Sequence, residues 1–196
     1  TGMIPGVYII RWTITSGPCA PSFSDVQVTI YNTPLFVDAG PDQQLCDSTS
    51  ALMAGNIPGV GTGTWTLISG PNSPTITTIN DPLTTVTGMI AGTYLFGWTI
   101  TNGVCITPTD TMQIIIYDLP TIANAGSDQQ LCNVNSTTMT ANSATTGTGV
   151  WEIISGPNSP VITDTLSATT TITGMVSGTY LFSWTISNGV CNPTSD

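Results

Sequence analysis

Thr93-Tyr94-Leu95-Phe96-Gly97-Trp98-Thr99-Ile100-Thr101 alternates large apolar side chains with small or polar ones, and Asn102-Gly103 follows directly. A strand points successive side chains to opposite faces, so Tyr94, Phe96, Trp98 and Ile100 share one face. A Trp-centred apolar row of this length predicts a central strand over the core. Asn102-Gly103 predicts a type I′ hairpin turn, whose two central residues need positive φ. The chain then returns through residues 111–117, where Met112, Ile114 and Ile116 alternate with Thr111, Gln113, Ile115 and Tyr117.

Residues 92–103 recur at 178–189 with two changes, Ser183 for Gly97 and Ser187 for Thr101, and, further drifted, at 6–17. Cys19, Cys105 and Cys191 are 86 residues apart (105 − 19 and 191 − 105), as are Cys46 and Cys132. Trp12, Trp98 and Trp184 keep that step, as do Trp65 and Trp151, and ISGPNSP occurs at both 68–74 and 154–160. A fixed period of this kind is the signature of one structural unit copied in tandem. The division expected is 1–33 as the C-terminal part of a repeat, 34–119 as a complete one, and 120–196 as a repeat lacking its last strand. Such a cut reads as a stretch of a much longer polypeptide. The alternative is a self-assembling subunit whose leading strands complete the last domain of the next chain, because partial domains leave strand edges unpaired.

Within residues 34–119 the other segments also read as strands and turns. The bend Ala39-Gly40-Pro41-Asp42 precedes a short edge strand, Gln43 to Cys46, and Ser50 to Ala54 alternates Ala51 and Met53 with polar positions. Thr64 to Ile68 sets Trp65 and Leu67 on one face, and residues 69–74 are turn chemistry. Thr75 to Ile79 and Thr84 to Thr87 are Thr-rich β segments. About seven short strands with turns every 8–12 residues describe an all-β, Ig-like sandwich. Trp65 and Trp98 would fill the space between its sheets, and Tyr94 is placed like the tyrosine corner of such folds.

These residues carry a resemblance. Ala39-Gly40-Pro41-Asp42-Gln43, the Trp strand before Gly70-Pro71, and Gly92-Thr93-Tyr94-Leu95-Phe96 running on through Trp98-Thr99-Ile100 to Asn102-Gly103 resemble PKD-type Ig-like domains. The likeness is to the disulfide-bearing version found in tandem in giant secreted surface adhesins and filament proteins of Bacteroidota. The Trp-Asp-Phe-Gly-Asp-Gly string of many PKD domains is replaced here by Trp65-Thr66-Leu67-Ile68-Ser69-Gly70, so a function tied to that string does not carry over. The resemblance implies an exported stalk or filament at the cell surface, in that phylum often by type IX secretion.

Composition narrows the function. The net charge is −10, with Arg11 the one basic residue and no histidine or lysine. Nucleic-acid binding needs cations to neutralise phosphates and is excluded; adhesion to anionic membranes fails likewise. No apolar run approaches the roughly 20 residues of a membrane span, so no membrane insertion is expected. Without histidine or lysine, Ser-His-Asp, Cys-His and lysine nucleophiles cannot be assembled, and the chain reads as non-catalytic. Gly59-Val60-Gly61-Thr62-Gly63 lacks the Gly-Lys-Ser/Thr ending of a phosphate loop and reads as a loop between strands.

Regularly spaced cysteines in a histidine-free chain read as disulfides, hence an oxidising, extracellular setting. Two periodic pairings are open. Cys46–Cys105 and Cys132–Cys191 lie within repeats and leave Cys19 to a partner outside the chain; Cys19–Cys46 and Cys105–Cys132 cross repeat boundaries. The first is preferred on the expectation that parallel pairing of the first and last strands makes Cys46 and Cys105 neighbours. Among the acids, Asp42/Asp128 and Asp110/Asp196 recur and read as turn and cap residues. The sharper alternative is a calcium site near a domain boundary, from Asp38, Asp42 or Asp118 oxygens plus carbonyls. Asp-Ser/Thr signals resembling Bacteroidota O-glycosylation sites place sugar candidates at Ser48, Thr111 and Thr165.

The function expected is mechanical: a stalk or filament segment of a long surface adhesin. Its partners would be neighbouring repeats, with lateral or end-to-end self-association. Prolines in the linkers at 31–34 and 117–121 would restrict bending. Two rivals are a carbohydrate-binding module, reading surface polysaccharide through loops such as residues 56–63, and a spacer in a secreted hydrolase.

Overall fold

The computed structural model describes residues 2–106 and 109–196. Every regular element among them is a β-strand. By contacts the chain divides into two compact units: 1–42, 50–87 and 95–113 form one, and 43–49, 88–94 and 114–196 the other. This partition runs through the expected complete repeat rather than along its ends.

In the first unit Gly6–Ile14 and Ser22–Ile30 form a two-stranded antiparallel sheet. Ser50–Leu52, Thr85–Thr87 and Thr75–Ile76 form a three-stranded sheet, and Thr62–Ser69 pairs with Gly92–Asn102. In the second unit Ser136–Thr140, Thr169–Thr173 and Val161–Ile162 make one sheet, and Thr148–Ser155, Leu181–Ser187 and Thr194–Ser195 the other. Its core cluster is Ala123, Trp151, Trp184 and Ile186, with Met139 and Ile162 of the opposite sheet packed on it. That is the sandwich the alternation predicts: each sheet contributes every second side chain to one shared interior.

Cross-strand register brings the tryptophans together. Trp65 lies opposite Trp98 and Trp151 opposite Trp184, with ring centroids 4.9 and 5.2 Å apart. All four are buried. Trp12, the third copy of Trp98, is 72% exposed instead; its hairpin forms a two-stranded sheet among the described residues. A closely packed indole needs room, and Gly63 and Gly149 provide it: a Cβ at either would stand 2.0 Å from the ring of Trp98 or Trp184. The glycine-rich segment therefore answers to core packing.

Tyr94, Tyr180 and Tyr8 make the corner foreseen for Tyr94. Ile90 N–H donates to Tyr94 Oη at 2.9 Å, Val176 N–H to Tyr180 Oη at 2.8 Å, and Tyr8 Oη donates to the carbonyl of Ile4 at 2.8 Å. The hairpin turn differs from expectation. Asn102 pairs with Cys105, so the two central residues are Gly103 and Val104, and only Gly103 has positive φ, +59°. This is the type II′ pattern, with glycine first. Asn102 stays extended, and its side chain is used elsewhere, as described below.

Gly63→Ala and Gly149→Ala should each destabilise the chain by about 1–3 kcal/mol, because the new carbon meets a rigid ring rather than a flexible tip. Gly59, which faces open space, should tolerate alanine. Thermal unfolding followed by tryptophan fluorescence compares the three; equal midpoints for all would contradict the packing assignment.

Candidate functional site

Functional geometry in this chain lies in two features that recur with the 86-residue step. The first is the bend at residues 38–42. Gly40 N–H donates to Asp38 Oδ1 at 2.8 Å, Ala39 N–H to Asp110 Oδ2 at 2.7 Å, and Gln113 N–H to Asp42 Oδ1 at 2.7 Å. Asn56 completes it: its Oδ1 accepts from Asp38 N–H at 2.9 Å and from the Trp98 indole at 3.2 Å. Asn56 is thus a structural residue at the start of the loop considered for polysaccharide. In the second copy Asn124 stands where Asp38 does and accepts from Gly126 N–H at 2.8 Å, while Asp196 Oδ2 accepts from Ala125 N–H at 2.9 Å. An amide does the work of the Asp38 carboxylate in an otherwise similar bend, so the bend requires an acceptor rather than a charge.

That bears on calcium. Asp38 and Asp42 both spend an oxygen on backbone amides, and Asp118 belongs to the other unit. Among the described residues no three His, Cys, Asp or Glu side chains converge on a point that could hold a metal.

The second feature is a seam where each Asn-Gly hairpin sits on a Tyr-containing linker. Asn102 Nδ2 donates to the carbonyl of Asn32 at 2.9 Å, and a Cβ on Gly103 would run into the ring of Tyr31. Within the second unit Asn188 Nδ2 donates to the carbonyl of Asp118 at 2.8 Å, and Gly189 lies on the ring of Tyr117 in the same way. Pro34 and Pro120 are buried. The sequence marked Asn102-Gly103 as a turn and 31–34 and 117–121 as linkers but did not foresee the contact between them, although Tyr31/Tyr117, Asn102/Asn188 and Gly103/Gly189 recur at the common step.

The disulfide sits at the second of these seams. Cys46 bonds Cys191, 145 residues away, with Cα atoms 5.0 Å apart; Cys19, Cys105 and Cys132 are free. This corrects both proposed bridges, Cys46–Cys105 and Cys132–Cys191, and the pairing weighed beside them. The first and last strands do pair in parallel, Gln43–Cys46 alongside Ile114–Tyr117. Parallel pairing carries Cys46 to the end of the Asp110–Tyr117 strand, opposite Tyr117. Seven residues of strand, roughly 23 Å at ~3.3 Å each, then separate it from the beginning of that strand, where the Cys105 hairpin leads in. A bridge needs Cα atoms within about 7 Å. Tyr117 is instead where the next hairpin docks: Cys191 Sγ lies 3.4 Å from the carbonyl oxygen of Asp118.

Elsewhere Arg11 makes a two-point ion pair with Asp25 across its hairpin at 2.7 and 2.8 Å and lies 3.9 Å above the Phe23 ring. The hydrogen bonds that Arg11 donates to the Asp25 carboxylate lower the Asp25 pKa and raise that of Arg11. Of the sugar candidates, Thr111 and Thr165 are exposed and Ser48 is half-buried.

Comparison with known proteins agrees with this architecture. Residues 125–193 match the family described as "K319L-like, PKD domain". Over 202 aligned residues the chain is 25% identical to the mouse dyslexia-associated protein KIAA0319-like protein, covering 94% of this chain and 19% of that one. It therefore spans about a fifth of that relative's length. Among solved structures it is similar to an I-band fragment of titin, with a TM-score of 0.51 and 9% identity over 97% of this chain and 71% of that one. A three-Ig titin variant gives 0.50 and 10% over 84% and 64%. The fold is that of PKD and Ig-like β-sandwiches.

Asp38→Asn should leave thermal stability unchanged within ~0.5 kcal/mol, since it reproduces Asn124, whereas Asp38→Ala, which removes the acceptor, should cost about 1 kcal/mol. Millimolar calcium or a chelator should move neither midpoint. A calcium-dependent rise of several degrees that Asp38→Asn abolishes would restore the metal reading.

Proposed function

We propose that the chain is a non-catalytic, load-bearing segment of an extracellular stalk or filament, built from tandem PKD-type domains divided near residues 33 and 119. The observation that carries this is the Cys46–Cys191 bridge. It ties the first strand of one 86-residue copy to the hairpin of the next, at the point where that hairpin already grips the linker. A ligand site does not need such a clamp; a fibre under tension does. In the loop-entropy account, closing 145 residues is worth on the order of 5 kcal/mol, and the bond also removes that stretch from the load path. A disulfide of this kind fits an oxidising compartment, consistent with export to a bacterial cell surface. O-glycosylation at the exposed Thr111 and Thr165, and at Ser48, would suit such a setting.

Single-molecule pulling from the two ends tests the proposal. With the bridge intact, the stretch between Cys46 and Cys191, 145 positions apart, should stay locked whatever the force. Adding a reductant should release about 500 Å of extra contour length, at ~3.5 Å per residue. Full extension without reductant would show that the clamp does not form in solution.

A further inference from the structure

Asn-Gly occurs twice in the chain, at Asn102-Gly103 and Asn188-Gly189, and both copies stand at the seams. Every other asparagine precedes a residue that carries a side chain. Each half of the dipeptide meets a separate demand there. The first residue must donate: Asn102 Nδ2 reaches the carbonyl of Asn32 at 2.9 Å, and Asn188 Nδ2 that of Asp118 at 2.8 Å. The second must be glycine. A Cβ would stand 2.3 Å from the Tyr31 ring at Gly103 and 2.4 Å from the Tyr117 ring at Gly189, and both residues have positive φ, +59° and +54°.

The seam thus requires the asparagine dipeptide that is chemically least durable. The backbone nitrogen of the following residue can attack the side-chain Cγ, and glycine, without a Cβ, leaves that nitrogen open and its backbone free to turn. The N–H proton passes to hydroxide or a buffer base, a new N–Cγ bond closes a five-membered succinimide, and the Cγ–Nδ2 bond breaks to release ammonia. Water then adds to one of the two imide carbonyls and opens the ring to aspartate or isoaspartate. One asparagine and one water become one carboxylic residue and one ammonia, with no oxidant, reductant or cofactor.

The seam decides whether this reaction starts. While it is closed the side-chain amide is committed to a linker carbonyl. The asparagine backbone is committed too: Asn102 pairs with Cys105, and the carbonyl of Asn188 accepts from the Cys191 N–H at 3.0 Å. The attacking nitrogen and Cγ come together only when these contacts let go. Water and base already have access, since Gly103 and Gly189 are exposed beside the half-buried asparagines. The product cannot restore what was lost. A carboxylate has no hydrogen to donate, so it would face the linker carbonyl as acceptor against acceptor, in a chain whose net charge is already −10.

We propose that Asn102-Gly103 and Asn188-Gly189 are self-modifying sites that make the opening of a seam irreversible. A closed seam protects its asparagine; a seam held open loses the amide and does not close again. The rate of modification is that of the unfolded dipeptide multiplied by the fraction of time the seam is open. The Cys46–Cys191 bridge guards the second site, because Cys191 stands in the same turn as Asn188 and is tied to Gln43–Cys46. The consequence under load, a permanently softened joint, rests on the fibre reading; the sites and their chemistry do not.

The test is to age the 196-residue chain in mildly alkaline buffer and follow both dipeptides by peptide mapping that separates asparagine, aspartate and isoaspartate. In urea with reductant the two should convert at one common rate. In the folded, oxidised chain each should convert at least about tenfold more slowly. Reducing the bridge under native conditions should speed Asn188 severalfold and leave Asn102 unchanged. Tyr31→Ala, which removes the ring over Gly103, should do the reverse. Fluorescence of the buried tryptophans checks that the cores stay folded, and if Tyr31→Ala unfolds the first core, the reduced chain decides alone. Asn188→Asp should let Cys46–Cys191 open at about tenfold less reduced glutathione, because the hairpin no longer holds Cys191 on its linker; Asn102→Asp should not. Equal rates in folded and unfolded chain, or an Asn188 rate indifferent to reduction, would overturn the protection. A bridge as hard to reduce in Asn188→Asp as in the original chain would overturn the irreversibility.

Discussion

Two indoles packed at a tilt across neighbouring strands, beside a glycine that leaves them room, are the constraint from which each sandwich is built. Trp65 on Trp98 and Trp151 on Trp184 fill the interior, and Gly63 and Gly149 are the positions on which the second ring rests. The pairing needs Thr62–Ser69 and Gly92–Asn102 in one register, because a slip of one residue would turn every inward side chain outward. With the register set, Tyr94 reaches the backbone of Ile90 and closes the corner. Trp12, in a two-stranded sheet among the described residues, is exposed instead.

The seams add a second layer of organisation that depends less on hydrophobic burial. Each is made of a hairpin asparagine, a glycine and a linker tyrosine, with a carbonyl accepting the asparagine amide. Glycine matters here because an aromatic ring occupies the space its side chain would take. A disulfide at such a seam couples neighbouring copies of the sequence covalently.

Much of the fold and of the bend at residues 38–42 was legible beforehand. The strands read at 43–46, 64–68 and 93–101, the tyrosine corner and the turn role of Asp42 and Asp110 follow from alternation and turn chemistry within short stretches, and the expected parallel pairing of first and last strands is present. The turn type was misjudged because Asn102-Gly103 favours positive φ at both positions only when the asparagine is at liberty; here its side chain is committed to Asn32 and its backbone to Cys105. The cysteine partners were misjudged for a related reason. The 86-residue step makes several pairings equally regular, and spacing cannot rank them.

The sequence by itself determined the period, the strands, the inward face of each strand and the absence of any histidine or lysine for catalysis, because these depend on residue identity and on neighbours a few positions away. Only the tertiary structure decided which cysteine meets which and which asparagines grip a linker. Those outcomes depend on where a strand ends in space and on what docks there. Cys46 is carried away from Cys105 by the direction of one parallel strand and delivered to Cys191 by the packing of the next hairpin on Tyr117.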